Sequence, residues 1–358
     1  MTPMTNTNKK VIVGLSGGVD SSTAIYLLKQ QGYSPIGVTM EIYKGAPLAG
    51  ATARSCYGHE KTDIPEVEAL CKKLDIPFYC FDCSKEFTKY IMSYFKEEYL
   101  AGHTPNPCVK CNELIKFALL PKKAKAAGID FDYFATGHYA RIEKIGERYY
   151  LKQAADIRKD QSYFLYRLSQ SQLAKTLFPL GEMTKTETRE IASENLGAVG
   201  SKSDSQDFYA GSYTDLLDIP PKMGSIVDVN GKVLGIHEGY WNFTLGQRKG
   251  LGIAHPTPLY VVGLDREKNQ VIVGSEMDAI TNCVKATDFF YHPVSEGIIF
   301  GKIRSTQNLR RISKVIKKGK SATVIFAERL GGVTPGQSLV LYQDGFVIGG
   351  GIITTEDD

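Results

Sequence analysis

The sequence predicts an α/β protein, with a parallel sheet covered by helices, followed by two small mainly β domains. Three observations predict it. Apolar strand-like runs alternate with helical patterns through the first part of the chain; a glycine-rich turn joins the first strand to the first helix; and from about residue 212 Gly and Pro punctuate short apolar segments.

The elements follow in order. Residues 11–15 are apolar and read as the first strand, and a helix pattern begins near Ser22. Residues 34–43 read as a strand, 63–74 as a helix, 78–82 as a strand and 87–100 as a helix. Another helix starts at Asn112, and 133–136 is a strand. Strands alternating with helices build a parallel sheet covered on both faces, and ligands of such sheets lie beyond the carboxyl ends of the strands. The glycine turn is already there. Further on, 226–229, 260–264, 271–274, 323–326, 338–342 and 346–353 read as short strands, and boundaries near Phe208 and Asp278 divide the chain into 1–208, 209–278 and 279–358.

At 358 residues the chain exceeds the size at which single cores usually stop growing, and 42% hydrophobic residues is ordinary for a globular protein. The start is polar and no apolar run approaches the ~18 residues needed to cross a bilayer, so the chain reads as soluble and cytoplasmic, with no membrane partner. Seven cysteines, an odd number without a secretory signal, point to metal or catalytic use rather than a disulfide framework. Net charge is only +4, yet residues 301–320 hold Lys302, Arg304, Arg310, Arg311, Lys314, Lys317, Lys318 and Lys320 without one acid. Such a block suits a polyanion, and a solvated face is the plainer alternative.

The turn itself runs Gly14-Leu15-Ser16-Gly17-Gly18-Val19-Asp20-Ser21-Ser22. Glycines let backbone N–H groups turn toward an anion, and the helix that follows aims its positive end at the same point. A Walker loop would need its Lys-Ser/Thr pair and a dinucleotide fingerprint a different glycine spacing. What remains is an SGGxDS pyrophosphate loop. It resembles that of the ATP pyrophosphatases, of adenine nucleotide alpha hydrolase-like fold, which split ATP between its α and β phosphates to adenylate a substrate.

A second stretch, Thr104-Pro105-Asn106-Pro107-Cys108-Val109-Lys110-Cys111-Asn112, carries two prolines that hold an extended loop and two cysteines where a helix begins. A helix start favours the thiolate. Together with Gly137-His138-Tyr139-Ala140-Arg141, Lys159-Asp160-Gln161-Ser162-Tyr163-Phe164-Leu165, Gly246-Gln247-Arg248-Lys249-Gly250-Leu251-Gly252 and Pro335-Gly336-Gln337-Ser338, in that order, the chain closely resembles the tRNA-specific 2-thiouridylases, the MnmA/TrmU family.

The resemblance implies the reaction: ATP, with Mg2+, adenylates the carbon-2 oxygen of a wobble uridine in tRNA, and sulfur then displaces AMP. It also implies roles. Gly14, Leu15, Ser16, Gly17, Gly18, Val19, Asp20, Ser21, Met40 and Gly137 would contact ATP, with Asp20 orienting magnesium or the loop. Cys111 matches the nucleophile. Asn106, Pro107 and Cys108 match the segment that meets the target base, and His138, Lys159, Asp160, Gln161, Arg304, Ser305 and Gln337 match tRNA-contacting positions. Read alone, His138 is a structural histidine, and Tyr163, Phe164 and Tyr166 are core.

The chain departs from the better-known family pattern twice. Cys108 stands where an aspartate is expected, and Tyr209 stands where a second, persulfide-carrying cysteine is expected. A phenol cannot hold transferable sulfur. Either Cys108 and Cys111 form the relay themselves, through a persulfide on one resolved by the other, or they are two of three ligands to an iron-sulfur cluster. The third ligand would be Cys56, with Cys83 second; Cys71 repeats a helix's apolar face and reads as core. A four-cysteine zinc site with Cys80 and Cys83 is disfavoured, because residues three apart on a strand point to opposite faces. The sulfur donor would be a protein persulfide carrier or sulfide. Two other classes compete: a small-molecule amidating ligase with the same loop, and a non-catalytic RNA-binding homologue.

Overall fold

In a computed structural model the described residues are 9–45, 57, 60–202, 208–209 and 211–355. Cys56 and residues 205–207 ahead of Tyr209 therefore lie outside the described residues. The first strand, β1 (Lys10–Gly14), shows why the sheet forms where it does. Val11, Ile12 and Val13 are all fully buried, as a strand covered on both faces requires. Each such side chain contributes about 1.5–3 kcal/mol on burial, so the strand and the turn after it start from a fixed origin.

Around β1 lie β2 (Ser34–Glu41), β3 (Phe78–Asp82), β4 (Tyr133–Thr136) and, after a hairpin of β5 (Arg141–Ile145) and β6 (Arg148–Lys152), β7 (Thr176–Leu177). Among the described residues β1, β2, β3, β4 and β7 form a parallel sheet in the order β3-β2-β1-β4-β7. Chain order reverses at β1, which has β2 on one side and β4 on the other. That reversal is the position where open α/β sheets hold their ligands. Helices Val19–Gln30 and Glu60–Lys73 cover the sheet through Ile25, Leu28 and Val67, with Cys71 fully buried among them. Cys71 is core, as its spacing implied.

Two helical runs differ from the sequence reading. The run 84–100 starts earlier than expected and contains a π-helical turn at Thr88–Met92. The run 107–126 begins at Pro107 rather than Asn112, so both cysteines are inside its first turns, and a π-helical stretch, Asn112–Leu119, follows them. Proline is pre-organised for a first helical position, where its missing N–H costs nothing.

By packing, the chain divides into two compact units, one of residues 1–92, 107–212 and 345–347, the other of 93–106, 213–344 and 348–358. Segment 93–106 packs in the second unit for visible reasons. Phe95 meets the Tyr213 ring edge-on and Tyr99 meets it at a tilt, and the Tyr240 hydroxyl donates to the Leu100 carbonyl (2.6 Å).

The second unit has a four-stranded sheet among its described residues, from β8 (Gly224–Asp228), β9 (Val233–His237), β10 (Tyr260–Asp265) and β11 (Gln270–Gly274), in the order β10-β11-β8-β9. Strands β12 (Ile280–Tyr291), β13 (Phe300–Lys302), β14 (Arg310–Lys318), β15 (Ser321–Gly331), β16 (Ser338–Gln343) and β17 (Phe346–Thr354) follow in the order β12-β15-β14-β13-β16-β17. A β12–β17 pairing closes them into a barrel, which removes free edges. The sequence reading missed β5, β6, β7 and β9 earlier in the chain, short β13, and the long strands β12 and β14. The outward faces of these last two are solvated and polar, so only alternate positions such as Ile312 carry the apolar signal.

Candidate active site

The base of the glycine loop is tied to β2. Leu15 N–H donates to the Val38 carbonyl and the Thr39 hydroxyl to the Leu15 carbonyl, both at 2.8 Å. Gly17 then takes φ +78°, a left-handed conformation that suits glycine. Gly18 is extended and opens helix Val19–Gln30, and no side chain caps that helix start. The hydroxyls of Ser21 and Ser22 donate back to the Gly18 carbonyl (3.3 and 2.9 Å), while Ser16 N–H donates to the Ser21 Oγ (3.2 Å). Uncapped N–H groups, serine hydroxyls and the positive end of a 12-residue helix make a cradle for phosphate.

Gly137, just after β4, closes the other side. A Cβ there would lie 2.5 Å from the backbone of both Asp20 and Ser21, so only glycine lets the two loops meet. Met40, half-buried, pairs in register with Phe81 near the end of β2.

Asp20 does not face outward. Its Oδ1 accepts from Lys185 Nζ at 2.6 Å and lies 3.0 Å from the Tyr139 hydroxyl, whose single proton is shared between Asp20 and Thr188 Oγ1, 2.9 Å away. Lys185 is only a tenth exposed while Asp20 is 29% exposed, so the pair is partly desolvated, mainly on the lysine side. Of the two roles read for Asp20, its partners favour orienting the loop.

The motif residues beyond β4 are fixed by several separate sets of hydrogen bonds. Gln161 accepts from Tyr139 N–H (2.9 Å) and donates its own N–H to the Tyr139 carbonyl (2.8 Å). Asp160 accepts from Ala154 N–H, Ser162 N–H, the Ser162 hydroxyl and Gln153. Lys159, half-buried, ends a short 3-10 turn, Ile157–Lys159. His138 packs beside Phe117 and Phe178 and bonds Thr136 Oγ1 at 2.7 Å. Burial, with Lys116 adding to it, holds its imidazole well below the usual histidine range. At neutral pH it offers a neutral hydrogen-bonding group, not a cation.

Cys108 and Cys111 are both half-buried on the first turns of the run 107–126. Residues three apart on a helix are neighbours. Asn112, next along, is buried and donates to the Phe164 carbonyl (3.1 Å), which ties the cysteine helix to the KDQSYFL segment. The other cysteines diverge. Cys80 is exposed, whereas Cys83 is fully buried with its thiol pushed up to about 12 by desolvation. Among the described residues no group of three His, Cys, Asp or Glu is placed to hold a metal ion. Tyr209 is buried, beside a Phe208 ring that stacks with Tyr57 and Phe87.

In the second unit, Gln337 donates to the carbonyls of Thr104 (2.9 Å) and Pro105 (3.2 Å), and Thr104 N–H donates to the Pro335 carbonyl (2.8 Å). The segment leading to half-buried Asn106 is thus strapped to the 335–337 turn. Pro107, which opens the cysteine helix, is buried in the first unit. Arg304 donates to the Gly332 carbonyl (3.1 Å) and Thr334 Oγ1 (2.7 Å), and Ser305 beside it is half-buried. On β14, Arg310, Arg311, Lys314, Lys317 and Lys318 are exposed while Ile312 faces inward, and Arg310 pairs with exposed Glu328 at 3.2 Å.

Comparison with known proteins bears on all of this. Family models match as a tRNA methyl transferase HUP domain over 9–209, a tRNA methyl transferase PRC-barrel domain over 217–275 and an aminomethyltransferase β-barrel domain over 283–353. A tRNA-specific 2-thiouridylase MnmA of Endomicrobium trichonymphae is 43% identical, over 97% of this chain and 99% of the relative. MnmA proteins of Clostridium botulinum (strain Alaska E43 / Type E3) and Clostridium beijerinckii are each 42% identical, over 98% and 96% of this chain and 99% and 98% of their own. The chain belongs to the tRNA-specific 2-thiouridylase family. A solved 4-thiouridine synthetase–RNA complex with bound ATP aligns over 57% of this chain and 44% of its own, at 17% identity and TM-score 0.33, too low to bear on function.

For a member of this family, the sequence reading missed the residues that support its loop. Lys185 and Thr188 come from helix Lys185–Leu196, whose start carries a Thr184–Glu187 capping box. That Thr-x-x-Glu signature was legible in the sequence. The pairing with Asp20, 165 residues away, was not.

Two predictions arise here. Asp20→Asn removes the carboxylate charge that faces the nearly buried Lys185 ammonium, and we expect about 1–3 kcal/mol less stability in urea unfolding; an unchanged midpoint would exclude the pair as a support. His138, held below the value of an unfolded histidine, takes up its proton only on unfolding, so stability declines as pH falls from about 6.5 toward its folded value. His138→Gln should flatten that acid slope, and parallel stability–pH curves for the two proteins would refute it.

Proposed function

We propose that this chain thiolates tRNA: ATP adenylates the carbon-2 oxygen of the wobble uridine, and sulfur replaces that oxygen to give 2-thiouridine, AMP and pyrophosphate. The observation that carries it is the combination, within one unit, of an uncapped SGGxDS loop at the sheet's reversal point and two cysteines on the first turns of one helix. The loop suits the triphosphate of Mg-ATP, with Ser16, Ser21 and the amides of 17–19 around the pyrophosphate. Met40 and Gly137 border the nucleotide. We assign catalysis to residues 1–208, a linking role to 209–278 and tRNA binding to the barrel of 279–358. A tRNA substrate makes the cytoplasm the proposed setting of the reaction. No helix among the described residues is long and apolar enough to cross a membrane.

The uridine oxygen attacks the α-phosphorus, and the bond to the β-phosphate oxygen breaks as pyrophosphate leaves. A persulfide on Cys111, loaded by a persulfide carrier protein or by sulfide with an oxidant, then attacks carbon-2 with its terminal sulfur and expels AMP. The Cys108 thiolate attacks the Cys111 sulfur, releasing the thiouridine and leaving a Cys108–Cys111 disulfide, which an external thiol reduces. Buried Tyr209 supports this one-helix relay, since the carrier expected at its position has no sulfur. An iron-sulfur cluster is the second reading, favoured by the C-x-x-C spacing. The described residues supply it with two cysteines, Cys108 and Cys111: Cys83 is buried as a neutral thiol, and Cys56 lies outside the described residues. No step is routed through it. Iron and sulfide analysis after anaerobic purification separates the readings; a colourless, fully active enzyme favours the relay.

The methyl transferase wording of the family models and an amidating ligase meet the same test. Purified protein given unmodified tRNA, ATP and sulfide, without S-adenosylmethionine, should release AMP only when tRNA is present, and no AMP would sink the enzymatic reading. Cys111→Ser should lose thiolation and keep tRNA binding; surviving thiolation would remove Cys111 from its role. Replacing Arg310 and Arg311 with Gln should weaken binding of all tRNAs and lower the salt slope by about one to two. An unchanged slope would make β14 a merely solvated face.

A further inference from the structure

The SGGxDS loop has one chemical gap. Pyrophosphate leaves with several negative charges, yet residues 14–22 contain no cation, and the nearby ammonium of Lys185 is neutralised by Asp20. A helix start supplies only about half a charge. Lys202 brings a full one. Its Nζ donates to the Gly17 carbonyl at 3.0 Å, at the tip of the loop, and pairs with Glu66 from helix Glu60–Lys73.

The arrangement leaves that ammonium exchangeable. Arg189 Nη1 donates to the carbonyls of Gly200 (3.4 Å) and Lys202 (3.1 Å), so the backbone is tied down while the side chain extends from it. The resting partner is weak: the Glu66 side chain is 54% exposed and that of Lys202 30%, and such exposed pairs are worth about 0–1 kcal/mol. A polyphosphate in the cradle would compete well for the same ammonium.

We propose that Lys202 is a catalytic residue for adenylation: when ATP binds, its ammonium exchanges Glu66 and the Gly17 carbonyl for the β and γ phosphate oxygens, and it neutralises the pyrophosphate as the bond to the α-phosphorus breaks. This rests on the adenylating function proposed above. Glu66 is the parking site of the lysine, and chain 185–202 serves the loop twice, through Lys185 beneath it and Lys202 at its tip.

The test uses inorganic pyrophosphate and full-length protein. Lys202→Met should bind pyrophosphate about 10- to 100-fold more weakly by calorimetry and raise the KM for ATP in tRNA-dependent AMP release by a similar factor, with tRNA binding and the melting temperature unchanged. Lys202→Arg should recover much of both. Glu66→Gln should lower the ATP KM about 2- to 5-fold, and should do nothing in the Lys202→Met background. Equal pyrophosphate binding by Lys202→Met and the parent would overturn the proposal, as would an effect of Glu66→Gln that persists without the lysine. If the parent binds pyrophosphate through Lys202 but releases no AMP with tRNA, the adenylating function fails and the phosphate contact stands.

Discussion

The carboxylate of Asp20 is where three distant segments of the first unit meet. It belongs to the first turn of helix Val19–Gln30, accepts from the Tyr139 hydroxyl after β4, and carries the charge that Lys185 needs to sit nearly buried. A desolvated ion pair contributes little net stability, but removing one partner is costly, so the pair acts mainly as a registration device. It holds the uncapped helix start against the Gly137 turn, which has no room for a side chain.

From that fixed point the two halves of the chemistry can be followed. The loop offers donors and a helix dipole of the kind that suits phosphate, while Asn112 and Phe164 anchor the helix that carries Cys108 and Cys111. Gln161 and Asp160 act as braces: one clamps the Tyr139 backbone, the other gathers four donors around the turn that follows. Positions matched to tRNA contact therefore also shape the backbone that any RNA would meet.

The second unit shows the same economy. Gln337 and Pro335 hold the backbone of Thr104 and Pro105, so the stretch preceding the cysteine helix is shaped by residues more than two hundred positions later. The basic strand β14 turns its cations outward because the barrel interior takes Ile312.

Local chemistry made the glycine turn, the buried β1, the alternation of strand and helix, the core position of Cys71 and the divergence of Cys80 from Cys83 legible in the sequence alone. Each depends on residues adjacent or a turn apart, where periodicity and backbone preference decide the outcome. The family likewise followed from motifs in order. The tertiary structure decided what pairs across long separations: Lys185 with Asp20, Lys202 with Gly17, Gln337 with Thr104, and the packing of 93–106 with the second unit. Those contacts have no local signature, because a lysine stem on a helix or in a turn reads the same whether its ammonium ends in water or on a carboxylate. Only the folded chain, by removing water around Asp20 and Lys185, gives that pair its place.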